Sequence, residues 1–160
     1  MPKHLRDGVS LYYEIEGQGP PLMLIAGTAS DSASWAPLVA ALSSRFTLVR
    51  PDNRSTGRTR PTEAPLSVEL WAEDALALLA ELGLGPAAVV GHSLGGLIAL
   101  QMAAKAPSQV SRLGLLACAP LRSARNAALF DLLVRLRALD LPQDLWLRSF
   151  LPWIFHPRFF

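Results

Sequence analysis

The stretch Ala87-Ala88-Val89-Val90-Gly91-His92-Ser93-Leu94-Gly95-Gly96-Leu97-Ile98-Ala99-Leu100 constrains this chain more than any other. A valine-rich apolar run passes through Gly-X-Ser-X-Gly directly into apolar residues at helical spacing, which reads as a strand, a sharp turn and a helix. A serine hydroxyl is a weak nucleophile. To react it must stand clear of the backbone, beside a base, with amide donors aimed at the oxyanion that forms on attack. A tight turn with positive φ at Ser93 achieves this, but it brings the strand and helix backbones so close that Gly91 and Gly95 have no room for side chains. Leu94 then begins the helix, and its free backbone N–H is available to an oxyanion.

The chain has 160 residues, 51% of them apolar, enough for one sizeable core and no second one. The formal charge of +2 arises from scattered arginines without a lysine or arginine run, so a nucleic-acid partner is not indicated. Cys118 is the single cysteine and lies in an apolar run, so it reads as a core residue in a reducing compartment. Met1 to Ser10 lacks the apolar centre of a signal peptide, and no apolar stretch is long enough to span a bilayer. The expected location is the cytoplasm, with no membrane partner. The histidines and the cysteine are too far apart along the chain to suggest a metal site, and no cofactor motif is found.

Asp7-Gly8 is a turn pair between strand-forming segments, which predicts a hairpin over Lys3 to Ile15. Leu22 to Ala26 is a continuous apolar run suited to a strand buried on both faces. A polar loop over Gly27 to Ser32 follows. A helix is expected from Trp35 to Ser43 with Leu38, Val39 and Leu42 on one face, then a strand over Phe46 to Val49. Arg50 to Pro61 is the most polar stretch and follows a strand end. Asp52 and Arg54 there are read as ties for the loop's own backbone and its neighbours. Ser67 is the expected N-cap of a helix reaching Leu82, and Pro107 ends the helix that starts at Leu94. Leu113 to Ala119 reads as a further strand. The alternation implies an α/β fold, a mainly parallel twisted sheet with helices on both faces and Ser93 at a strand's carboxyl end. From Leu121 the texture changes to a leucine-striped, arginine-bearing helix and then an aromatic tail, Trp146 to Phe160. That helix is expected to pack on its own domain rather than on a membrane.

Taken together, Asp7-Gly8, Gly17 to Pro21, Gly27, Trp35, the Asp52-Asn53-Arg54-Ser55-Thr56-Gly57 loop and Gly91 to Gly96 resemble the α/β-hydrolase superfamily, in particular its small bacterial esterases, enol-lactonases and cofactor-free haloperoxidases. The resemblance covers residues 1–120 as hydrolase core and 121–160 as the start of a helical cap. It implies Ser93 as nucleophile and the backbone N–H groups of Leu94 and Thr28 as the oxyanion hole. It also nominates Gly27, His92 and Trp35 as substrate contacts. Ala26 stands where the family usually has histidine, and Ser55 where its loop usually has glycine.

In such a fold the acid and histidine follow the serine along the chain. Here His156 is the single histidine after Ser93, and its setting in Phe155-His156-Pro157 reads as cap. The chain therefore looks like the N-terminal part of a hydrolase, truncated before its last strands. The expected activity is cleavage of a small ester or lactone through an acyl-enzyme on Ser93, without cofactor. A catalytically incomplete binding or interaction protein and a perhydrolase or haloperoxidase are the alternatives. Self-association is expected through an open sheet edge at Leu113 to Cys118.

Overall fold

Asp7 and Gly8 both take positive φ, 50° and 75°, as a two-residue turn between right-twisted strands requires. They join β1 (Lys3–Arg6) to the antiparallel β2 (Val9–Gly17). The computed structural model describes residues 3–118, 123–139 and 141–159. The expected strand end at Ala119, the helix start at Leu121 and the last aromatic residue, Phe160, lie outside the described residues.

Beyond the hairpin come β3 (Pro21–Ile25), β4 (Thr47–Pro51), β5 (Ala87–His92) and β6 (Val110–Leu116), in a sheet of order β1-β2-β4-β3-β5-β6. β4, β3, β5 and β6 run parallel, and β2 is antiparallel to β4. Period-two alternation divides the apolar runs between the sheet's faces. Met23, Ile25, Val49 and Val89 meet Leu78, Leu79, Ile98 and Met102 from α2 (Val68–Glu81) and α3 (Leu94–Lys105). On the opposite face Leu22, Leu24, Ala26 and Leu48 meet Trp35, Val39 and Leu42. Helices thus cover both faces, as expected, and the carboxyl ends of β3, β4 and β5 converge on one edge.

Three boundaries depart from expectation. The helix expected from Trp35 begins as a 3₁₀ turn over Ser32–Trp35, capped by the Asp31 side chain accepting from Ala33 N, and becomes α1 only at Ala36–Leu42. That phase points Trp35, Val39 and Leu42 at the sheet and leaves Leu38 44% exposed. β6 starts and stops three residues before the apolar run does, because its length is set by pairing with β5, where His92 faces Leu116. Cys118 therefore lies beyond the strand, half-buried, with its Sγ against Gly96. α2 matches the sequence closely, with Ser67 Oγ accepting from Leu70 N at 3.1 Å.

The chain forms two compact units, residues 1–119 and 120–160. The second holds α4 (Ala124–Ala138), N-capped by Ser123, and α5 (Gln143–Ile154). Trp146 Nε1 donates to Leu133 O at 3.2 Å, and Arg125 lies over the Trp153 ring. A stripe of Leu129, Leu132, Leu133, Leu136 and Leu139 is expected from the spacing; Leu133 is buried and Leu129 and Leu136 are partly buried, while Leu132 and, just past the end of α4, Leu139 are exposed. Among the described residues no helix is long and apolar enough to cross a membrane.

A buried charge cluster joins the hairpin to the sheet's helical layer. Arg54, 2% exposed, donates through Nε and Nη2 to the two oxygens of Asp74 on α2, at 2.5 and 2.9 Å. Arg6 on β1 donates to Asp74 at 2.8 Å and to Glu73 at 2.8 Å. Removing one member of a buried pair strands the other's charge, at a cost of about 3 kcal/mol or more. Asp74→Ala is expected to lower the unfolding free energy by about that amount in urea titration. Glu73 accepts from Lys105 and Arg6, which holds its carboxyl below the usual glutamate range. The unfolded chain then binds the proton more readily, so this contribution is present above the unfolded value and is lost on acidification. Melting temperature is expected to fall as pH drops from about 5 to about 3, and to fall less in Glu73→Gln.

Candidate functional site

Ser93 sits between β5 and α3 with φ 53° and ψ −116°. The reason lies in its neighbours: a Cβ on Gly91 would fall 2.0 Å from Gly95 O, and one on Gly95 would fall 2.1 Å from Ile25 O. With no side chain at either position, the strand reverses into the helix within one residue, and Ser93 takes the left-handed conformation that the sequence predicts. Two backbone bonds lock the turn. Ser93 N donates to Leu116 O on β6 at 2.9 Å, and Gly96 N donates to Ser93 O at 2.9 Å. Ser93 remains partly exposed, and no described side chain hydrogen-bonds to its hydroxyl.

The chain leaving β3 runs beside the serine. A Cβ on Gly27 would lie 3.1 Å from Ser93 Cβ and 3.2 Å from His92 Nδ1. Gly27 begins a turn that Ser30 N closes onto Gly27 O at 3.2 Å, with Thr28 and Ala29 exposed at its centre. The Thr28 N–H has no protein acceptor among the described residues. Leu94 is the first residue of α3, so its N–H lacks an intrahelical acceptor. Five of the expected site residues thus lie together: Ser93, Leu94, Gly27, Thr28 and the exposed His92.

Trp35 is elsewhere. It is 6% exposed and packs on Leu22, Leu24, Ala26 and Leu48, which makes it part of the core rather than a surface for substrate. His156, in the second unit, accepts from Arg158 N through Nδ1 at 3.2 Å. His4, buried on β1, pairs with Glu81 on α2. At Ser55, where the resembled family has glycine, φ is 64° and the hydroxyl donates to Thr62 O at 2.5 Å. The serine keeps the backbone that a glycine would take there.

The loop after β4 reaches the backbone on either side of the Gly27 turn through two of its side chains. Asp52, fully buried, accepts from Ser32 N at 2.9 Å and from Arg58 N at 2.8 Å. Asn53 Nδ2 donates to Ala26 O at 3.2 Å. The structural role read for Asp52 and Arg54 matches these contacts. Asn53 escaped the sequence reading because nothing local to it names Ala26 as its acceptor. Between this loop and the turn after β3 opens a cavity of about 320 Å³, lined by Ser30, Asp31, Ser34, Ser55 and Thr56 and not by Ser93.

A model of the alpha/beta hydrolase fold family matches residues 20–145. The protein named "Putative carbamate hydrolase RutD" in Azorhizobium caulinodans is 35% identical over 113 residues, spanning 71% of this chain and 43% of its own length. A hydrolase structure from Pseudomonas aeruginosa superimposes with a TM-score of 0.77 at 27% identity, covering 85% of this chain and 52% of that one. Est816, described as an N-acyl homoserine lactone degrading enzyme, superimposes with a TM-score of 0.74 at 25% identity, covering 81% of this chain and 52% of that one. The chain therefore spans about half the length of the proteins it matches. With the elbow at Ser93, the parallel sheet beneath it and the family model matched from residue 20 to residue 145, this chain belongs to the alpha/beta hydrolase fold family.

Proposed function

We propose that Ser93 is the nucleophile of a serine hydrolase that cleaves a small ester or lactone. The observation that carries this reading is the Ser93 turn itself: a hydroxyl raised on a left-handed residue, flanked by the unengaged amides of Leu94 and Thr28. Attack on a carbonyl carbon places negative charge on its oxygen, and two N–H donors fixed in advance stabilise that charge without reorganising. Collapse expels the alcohol, or opens the lactone ring, and leaves an acyl group on Ser93. Water then releases the acid. Both water and serine need a base to take their proton, and no described side chain supplies one at the Ser93 hydroxyl. The lactone-degrading Est816 supports the ester or lactone reading. The RutD relative's name points to a carbamate, whose carbonyl presents the same geometry to Ser93.

The test uses the protein that the gene encodes in its own cells, exposed to a fluorophosphonate and then assayed on p-nitrophenyl acetate, γ-butyrolactone and ethyl carbamate. A single adduct on Ser93 and turnover of the ester or lactone are expected. Ser93→Ala is expected to remove the adduct and lower kcat by about 10⁴-fold or more. Turnover retained by Ser93→Ala rejects the assignment, and turnover confined to the carbamate replaces the ester or lactone reading.

A second reading concerns association. β6 is an edge strand among the described residues, and its Leu113, Leu115 and Leu116 are 38%, 42% and 45% exposed. An open apolar edge is a template for pairing with another chain. The 160-residue chain is expected to self-associate in sedimentation velocity, and Leu115→Lys to shift it towards monomer.

A further inference from the structure

The amide that Thr28 offers is only as well aimed as the turn that carries it. Thr28 and Ala29 are exposed, so packing does little to hold them. Ala29 has φ 57°, a left-handed value that is unfavourable for a residue with a Cβ. A strained turn with little packing relaxes unless its ends are gripped.

Both grips come from β4's loop. Upstream, Asn53 Nδ2 donates to Ala26 O at 3.2 Å, which orients the peptide plane entering Gly27. Downstream, Asp52 accepts from Ser32 N at 2.9 Å. The gripping residues are themselves held. Asp52 also accepts from Arg58 N at 2.8 Å, its N–H donates to Tyr12 O at 2.9 Å, and its carbonyl accepts from Thr59 Oγ1 at 2.6 Å. Asn53 O accepts from Thr56 through both N and Oγ1, at 3.0 and 2.7 Å. Asp52 and Asn53 are 0% and 7% exposed, so water does not compete effectively for these bonds. Neither residue hydrogen-bonds to Ser93.

We propose that Asp52 and Asn53 are positioning residues for the oxyanion hole: by clamping Ala26 and Ser32 they set the direction of the Thr28 N–H relative to the Ser93 hydroxyl. The inference rests on the reading of Ser93 as nucleophile. A donor that matters only once the oxyanion has formed acts on the transition state, so loosening it lowers kcat and leaves KM nearly unchanged. Misplacement on the order of 1 Å is worth up to about 100-fold.

The test compares Asn53→Ala and Asp52→Leu with the wild type in the natural gene product. Asp52→Leu keeps the approximate shape of the side chain, removes the acceptor that Ser32 N uses and stands in if Asn53→Ala does not fold. Arg6→Ala, which loses its bonds to Asp74 and Glu73 away from the site, is the control for general destabilisation. The readouts are kcat and KM on the preferred substrate, the Ki of a trifluoromethyl ketone, which forms an oxyanion on serine, and hydrogen exchange of the segment 26–34. The clamp variants are expected to lose about 10- to 100-fold in kcat, to weaken the ketone by a similar factor with KM within about threefold, and to speed exchange in 26–34. The control at a comparable melting temperature is expected to show none of these changes. Unchanged exchange in 26–34, or a kcat loss no greater than the control's, overturns the proposal. A wild type without Ser93-dependent turnover overturns the hydrolase reading and the catalytic half of this inference, and the exchange result still decides whether the clamp exists.

Discussion

At the carboxyl edge of the sheet three backbones meet at a separation that admits no side chain. Gly91 on β5 faces the Gly95 carbonyl, and Gly95 on α3 faces the Ile25 carbonyl of β3. This crossing sets the place of everything around it. It forces Ser93 into its left-handed conformation, starts α3 directly above the strand end and brings Gly27 against the serine. β6 is drawn into the same knot, since its last carbonyl, Leu116 O, takes the Ser93 N–H. The free amide of Leu94 and the exposed hydroxyl are consequences of one packing solution rather than separate devices.

Around that crossing, charge does the work that apolar burial cannot. The scattered arginines indicate no polyanion partner, and four of those in the first unit are committed internally. Arg54 and Arg6 share Asp74, Arg50 pairs with Glu14 and Glu16, and Arg58 reaches Glu14 and Asp52 while lying over the Tyr12 ring. A guanidinium as buried as Arg54 is tolerated only with a carboxylate in bidentate reach. Arg54 ties the β4 loop to α2 through Asp74, Arg6 ties the hairpin to the same carboxylate, and Arg50 and Arg58 hold β4 and its loop to β2.

Much of this was legible in the residues. Asp7-Gly8, Ser67 and the Gly91 to Gly95 turn each specify local geometry through their own chemistry, and each adopts it. The continuous apolar run of β3 implied a strand covered on both faces, and it is one. What escaped was set by partners distant in sequence. Arg54 could be read as a loop tie but not as the partner of Asp74, 20 residues on. Trp35 resembled a site residue and is a core residue, because a 3₁₀ turn rotates it onto the sheet. The limits of β6 follow from its register on β5 and not from its own apolar run.

The sequence by itself therefore determined the sharp turn at Ser93, the order of strands and helices and the hairpin turn at Asp7-Gly8. Glycine, serine and the Asp-Gly pair impose backbone conformations that depend on near neighbours alone. Only the tertiary structure decided which loop holds which. The grip of Asp52 on Ser32 and of Asn53 on Ala26 is a hydrogen bond between segments 20 and 27 residues apart, and it exists because the parallel pairing of β3 with β4 brings their ends side by side. Local propensity carries no information about such a bond, since the side chain's partner is a distant backbone N–H or C=O of a kind that nearly every residue presents alike.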